Sequence, residues 1–175
     1  RFDVEYLRTN GEKGSLTLLD LDVINDLALL KLDQSPGYFI ELANTLPSHG
    51  ELIYSIGNPH DLGWTVIPGI YNGITTHSVY ERIHFSGSVN PGMSGGPVLN
   101  QAGQVIGVNV ATAGNQLSFL VPLNRLNSFI KQASTRATEL ASIDTVIAAQ
   151  LQANQREIIG DLVDSTWATA DFGDA

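Results

Sequence analysis

The tightest constraint on this chain is the stretch Asn90-Pro91-Gly92-Met93-Ser94-Gly95-Gly96-Pro97-Val98-Leu99. It sets one serine on a glycine-rich turn that leads into an apolar run. Glycine lets the backbone turn tightly and lets another backbone come close. A serine hydroxyl is a poor nucleophile until a base takes its proton and donors hold the oxyanion that forms. A Gly-x-Ser turn can aim the amides of Gly92 and Ser94 at one point, which is the geometry of an oxyanion hole. Each donor of that kind is worth on the order of 100- to 1,000-fold in rate. The competing reading is an ordinary Gly/Pro loop between two strands, since so short a motif also arises without chemistry.

Two other serine arrangements are excluded by order and context. Gly92-Met93-Ser94-Gly95-Gly96 fits a G-x-S-x-G elbow, which needs a helix after the serine and the order Ser, acid, His. Here Pro97-Val98-Leu99 reads as a strand, and no histidine follows Ser94. The order Asp, His, Ser is met formally by Asp26, His60 and Ser94, but the alternating strand–helix pattern of an α/β sheet is missing.

The 175 residues are enough for a domain with a real core, and 17 glycines with 43% hydrophobic residues suit a turn-rich β protein. The net charge of −9, with only 9 Lys and Arg together, argues against a nucleic-acid partner and against docking on an anionic membrane surface. Cysteine is absent, so disulfides and thiolate metal sites are excluded. No cofactor and no metal is expected. No long apolar run points to membrane insertion in this segment. The chain opens on Arg1-Phe2-Asp3-Val4, which reads as the middle of a strand, so a start inside a longer protein is expected.

Along the chain, Phe2–Leu7 alternates as a half-buried strand, Asn10-Gly11 marks a hairpin turn, and Leu16–Ile24 is the return strand. On that strand Asp20 and Asp22 alternate with Leu19, Leu21 and Val23 and are expected to face solvent. Leu27–Leu32 reads as a buried strand, with Asp26 partly buried at its mouth. Such an aspartate must be paired or hydrogen-bonded, and capping its own turn is the competing reading. Residues 35–49 form a linker-like crossing. Strands are expected over Leu52–Ile56, Trp64–Thr76, Val79–Phe85, Pro97–Leu99, Val105–Val110 and Leu117–Val121, with bends at Gly69 and Gly73 and a turn at Ala113-Gly114-Asn115. Pro122 opens a helix through Ile130. A second helix spans about Asp144–Leu162, its apolar residues Ile147, Leu151, Ile158 and Leu162 on one face. Trp167–Ala175 reads as a frayed acidic tail.

Asn25–Leu32, Gly57-Asn58-Pro59, Thr65–Ile70, Ser88–Val98, Gly103–Val110 and Ser118–Pro122 together resemble a trypsin-like serine peptidase. They are most similar to the cysteine-free bacterial branch, the high-temperature-requirement type. The resemblance implies a mainly β fold, with two antiparallel β-barrels of the trypsin-like fold and C-terminal α-helices. Residues 1–34 would be the remainder of a first barrel incomplete in this chain. Residues 35–49 would be the inter-barrel linker, 50–121 the second barrel, and 122–175 the helices and tail.

The same resemblance implies roles. Ser94 would be the nucleophile and Asp26 the acid that orients the histidine. The N–H groups of Gly92 and Ser94 would form the oxyanion hole. Ser88 would lie at the base of the pocket for the residue before the scissile bond. Val108, Asn109 and Val110 would pair with substrate as an added strand, and Val108, Val110 and Phe119 would wall the pocket. Ser88 is neutral, so cleavage after small or medium apolar residues is expected. Met93 stands where chymotrypsin relatives carry the aspartate of zymogen activation. One departure is large. The family order His, Asp, Ser puts the histidine before Asp26, yet His49, His60, His77 and His84 all follow it. Each reads as a turn or strand-surface residue. Three functions compete: a serine endopeptidase of which this is a fragment lacking the histidine, a peptide-binding pseudopeptidase, or a structural β-domain with a helical assembly element, the last resting only on the C-terminal helix. The expected partner is a polypeptide substrate, with a homo-oligomer through the C-terminal helix as a further possibility. The resemblance suggests a periplasmic or secreted location.

Overall fold

The computed structural model describes residues 4–35, 37–75, 80–112, 118–135 and 142–168. Its strands are β1 (Val4–Leu7), β2 (Lys13–Asp22), β3 (Leu27–Leu32), β4 (Leu52–Gly57), β5 (Thr65–Ile74), β6 (Ile83–Phe85), β7 (Pro97–Leu99), β8 (Val105–Thr112) and β9 (Ser118–Pro122). Helices α1 (Leu123–Thr135) and α2 (Ile143–Ala168) follow. The strands β1–β3 form an antiparallel sheet in chain order, and β4–β9 close into a barrel in the order β4-β5-β6-β9-β8-β7. The fold is therefore mainly β with C-terminal helices, as expected. His77, the Ala113-Gly114-Asn115 turn and the tail beyond Ala168 lie outside the described residues.

Alternation builds the barrel. On β4, Ile53, Ser55 and Gly57 point inward between half-buried neighbours. With Tyr71, Ile83, Phe85, Met93, Val98, Ile106 and Leu120 they enclose one core. The bend at Gly73 falls where the β5–β6 register shifts, between Tyr71 and Ile74. Beside the barrel, Val105, Val121 and Leu126 make a second cluster with partly buried Leu27, Leu42, Leu99, Val108 and Val110. Leu27 is the first residue of β3, so this cluster joins the sheet to the barrel. The linker runs alongside β8: the N–H of Ala43 donates to the Val105 carbonyl, and that of Val105 to the Glu41 carbonyl.

Several expectations change. Asp20 does not face solvent; it is 1% exposed. The face that Leu16 and Leu18 turn inward continues through Asp20, the β2–β3 register shifts between Leu18 and Asp20, and α1 and α2 pack over that end of β2. Leu19 is left 41% exposed instead. Strand β3 is half-exposed rather than buried, with Leu30 37% exposed. Asp26 is exposed. Finally, α2 continues through Trp167 and Ala168, where a frayed tail was expected.

Helix α2 packs through the expected face only in part. Gln150 brackets β2, its Nε2 donating to the Leu21 carbonyl at 2.6 Å and its Oε1 accepting from the Val23 N–H at 2.7 Å. One turn on, Asn154 Nδ2 donates to the Tyr80 hydroxyl. Ile147 and Ile158 are half-buried, while Leu151 of the expected apolar face is 44% exposed.

Candidate active site

The serine loop is fastened to the barrel from within. Met93 is fully buried and packs against Gly57, where a Cβ would collide with it. This apolar plug leaves Ser94, one residue on, exposed at the surface. Gly92 has φ of 94°, a conformation that costs side-chain-bearing residues dearly, and a Cβ there would lie 2.5 Å from the Asn58 carbonyl oxygen. At Gly96 a Cβ would collide with the Ile56 carbonyl oxygen. The glycines thus let the loop lie flat on the end of β4.

The amides that would hold an oxyanion are aimed by the carbonyls before them. In a trans peptide the C=O and N–H of one plane point in opposite directions. The Pro91 carbonyl accepts from the His60 N–H at 3.0 Å, which turns the Gly92 N–H the other way. The Met93 carbonyl accepts from the Gly96 N–H at 3.0 Å and from Asn109 Nδ2 at 3.1 Å, which turns the Ser94 N–H outward. Among the described residues neither the Gly92 nor the Ser94 N–H donates to a protein group. The Ser94 hydroxyl donates to the Val110 carbonyl at 3.2 Å.

Asn109 has a fuller part in this loop than its sequence context indicated. Its side chain is 1% exposed. Nδ2 reaches the Met93 carbonyl and the Ile56 carbonyl, and Oδ1 accepts from the Ser55 hydroxyl at 2.9 Å. Its backbone N–H donates to Gly96 and its carbonyl accepts from Gly95, both at 2.9 Å. The signal was an asparagine inside the apolar run Val105-Ile106-Gly107-Val108-Asn109-Val110. A polar side chain in a barrel interior must find partners.

The segment around Ser88 is held in a similar way. Ser88 is exposed. On either side of it, the Ser118 hydroxyl donates to the Gly87 carbonyl at 2.8 Å and accepts from the Val89 N–H at 3.1 Å. Ser118 is fully buried, and sequence reasoning missed it; Phe119 beside it points outward, opposite His84 on β6. Val108 and Val110 pack in the cluster between barrel and sheet.

Asp26 stands in the turn between β2 and β3 with φ of 60°. Capping of that turn falls to Asp22 instead. Its Oδ1 accepts from the Asn25 N–H at 2.9 Å, and its Oδ2 from Asn25 Nδ2 at 2.8 Å. The Asp26 carboxylate is therefore left out of the turn's own bonding. The described histidines have evident local roles. His49 packs edge-on to the Tyr71 ring at 5.7 Å. His60 supplies its backbone N–H to the serine loop, and His84 is half-buried on β6. Among the described residues, no cluster of three or more His, Cys, Asp or Glu could hold a metal ion.

A serine on a glycine loop at the rim of a closed antiparallel barrel, with free amides behind it, defines the chymotrypsin-like class of hydrolase fold. The family model of the trypsin-like peptidase domain matches residues 1–108, and the chain belongs to that family. It is 33% identical over 145 residues to the serine protease Do-like HtrB of Bacillus subtilis, covering 70% of this chain and 31% of the relative. It is 28% identical over 137 residues to the serine endoprotease DegS of Haemophilus influenzae, covering 70% and 40%. Among solved structures, a serine endoprotease from Yersinia pestis superimposes with a TM-score of 0.69 at 26% identity, over 77% of this chain and 49% of that one. The HtrA-type protease AlgW with a decapeptide gives a TM-score of 0.70 at 24% identity and shares the fold. The chain spans less than half the length of each of these proteins.

Proposed function

We infer that the protein containing this chain is a serine endopeptidase, and that its histidine is supplied by a segment before Arg1. The observation that carries this reading is the pair of outward N–H groups at Gly92 and Ser94, each aimed by a bonded carbonyl behind it. A mere inter-strand loop has no need of them. In the reaction, Ser94 Oγ attacks the scissile carbonyl while the imidazole takes its proton. The Gly92 and Ser94 N–H groups bind the oxyanion, and Asp26 steadies the imidazolium. The proton passes to the leaving amine, and water then releases the acyl group from Ser94. Residues 1–34, which include the β1–β3 sheet, are read as the remainder of a first barrel, and residues 50–121 as the second barrel, joined by the linker 35–49, with 122–175 as an appended helical part.

The substrate is a polypeptide. Ser88 at the pocket base carries no charge, so cleavage after small or medium apolar residues is expected. The bonded backbone of Asn109, and the pairing of Val108 with both β7 and β9, leave the strand pairing with substrate to Val110. Some relatives carry "periplasmic" in their names, which supports a periplasmic or secreted location. The second reading, a pseudopeptidase, draws on the Ser94 hydroxyl bonded to a carbonyl rather than to a base.

The test is hydrolysis of a fluorogenic peptide library by the full-length protein. Ser94→Ala is expected to lower kcat by about a million-fold, as when the nucleophile of a triad is removed. A full-length protein that binds peptide without cleaving it would establish the pseudopeptidase instead. Dominant cleavage after Arg or Lys would overturn the pocket assignment.

A further inference from the structure

We propose that Arg82 is a positioning residue, which locks the acid-bearing turn Ile24-Asn25-Asp26 to the second barrel. The proposal rests on the reading of Asp26 as the acid of the triad. The nucleophile and the acid lie on separate units, the barrel and the sheet, so their spacing depends on whatever joins the two. Arg82 stands one residue before β6, on the barrel. Its guanidinium reaches across to the turn: Nη1 donates to Asn25 Oδ1 at 3.3 Å and Nη2 to the Ile24 carbonyl at 3.4 Å. These two acceptors immediately precede Asp26. A planar fork of fixed donors suits such a two-point grip, which a lysine ammonium cannot reproduce.

The barrel end of this grip is itself held. Nη1 also donates to the Glu81 carbonyl at 3.0 Å. The Glu81 carboxylate binds Arg125 Nε at 3.0 Å and Asn124 Nδ2 at 3.1 Å, both on α1. The Arg82 guanidinium lies over the Tyr80 ring at 5.6 Å, and the Tyr80 hydroxyl is held by Asn154 of α2. On the sheet side, Gln150 fixes Leu21 and Val23 just upstream of the turn. Arg82 is thus a polar link from a braced barrel to a turn that is braced on its other flank, beside the apolar contact that Leu27 makes with the barrel. Its half-buried guanidinium is drawn below its ordinary pKa by burial, and the carboxylates of Asp22 and Asp26 oppose that loss. The same carboxylates attract the guanidinium toward the turn. An acid displaced by about 1 Å can cost on the order of 100-fold in rate.

The test uses the full-length protein and three variants, with amide hydrogen exchange measured alongside kinetics. Arg82→Met keeps the apolar stem and removes the fork. It is expected to lower kcat about 10- to 100-fold with KM within about twofold, and to speed exchange of the Asn25–Leu27 amides. Arg82→Lys should recover part of the lost kcat. Asp26→Asn is expected to lose about 10,000-fold. An Arg82→Met protein with wild-type kcat and wild-type exchange would overturn the positioning role while leaving the peptidase reading intact. So would equal changes in kcat and KM with no recovery in Arg82→Lys, which mark general damage. If Asp26→Asn keeps full activity, the reading of Asp26 fails and the proposal falls with it.

Discussion

The barrel and the sheet of this chain are made of similar strands, with alternating Leu, Ile and Val, yet they end in different states. In the barrel, closure gives every strand two neighbours and both sides of the core a wall. Ile53, Ile83, Phe85, Val98, Ile106 and Leu120 are fully buried there. In the β1–β3 sheet, Leu7, Leu19 and Leu30 remain 67%, 41% and 37% exposed. Alternation in sequence therefore specifies which residues share a face, and the number of layers packed on that face decides whether they leave water. The proposed nucleophile stands on the dry unit. The candidate acid stands on the wetter one, so in the proposed site its distance from Ser94 rests on the contacts between the two units.

That contrast can be broken most directly by truncating one residue on each side. Phe85→Ala empties the centre of a closed core and is expected to cost about 3–5 kcal/mol. Leu30→Ala removes an apolar side chain already in partial contact with water and is expected to cost about 0.5 kcal/mol. Chemical denaturation of both variants against the parent chain checks the pair. Equal losses would mean that the sheet's exposed face is covered in solution and that the contrast does not hold.

The next prediction concerns polar groups inside the barrel. Asn109→Ala would leave the Ser55 hydroxyl, the Met93 carbonyl and the Ile56 carbonyl short of a partner. Stranded buried groups of this kind make the expected loss about 2–3 kcal/mol. The Met93–Ser94 peptide would also lose one of the two bonds that aim it. Denaturation reads the first effect and kcat of the full-length protein reads the second. A variant of unchanged stability would show that water replaces the amide.

What the sequence made legible follows the same division. Strand periodicity and the serine loop were readable because alternation and glycine placement are local properties. The closed barrel and the helices accord with that reading. The inward turn of Asp20 was not readable, because helices more than 100 residues away cover it. Arg82 and Gln150 carried no signal, since a single arginine or glutamine shows its acceptors only once the elements are packed. Asp22 and Asp26 could not be told apart as turn cap and exposed carboxylate from their spacing alone. Asn109 does carry a signal, but one dimension cannot separate its backbone, which belongs to a strand, from its side chain, which braces the serine loop.

The smallest expected effect sharpens the comparison with two tyrosines, one in each unit. Tyr71 is 4% exposed in the barrel, and burial raises its pKa above the ordinary value near 10. Tyr6 on β1 is also raised, by partial desolvation and then by the nearby Asp33 carboxylate, whose Oδ1 accepts from the Tyr6 hydroxyl at 3.3 Å. A phenol with a raised folded pKa holds its proton more tightly in the folded state. Its contribution to stability is complete below the unfolded pKa, about 10, and is lost as pH rises through the folded value. The stability of the chain should therefore decline with rising pH in the alkaline range. Tyr71→Phe should flatten that decline more than Tyr6→Phe, because solvent screens the exposed pair on the sheet. Denaturation midpoints measured between neutral pH and the alkaline limit check this. A larger effect from Tyr6→Phe would mean that the sheet, not the barrel, holds the less hydrated phenol.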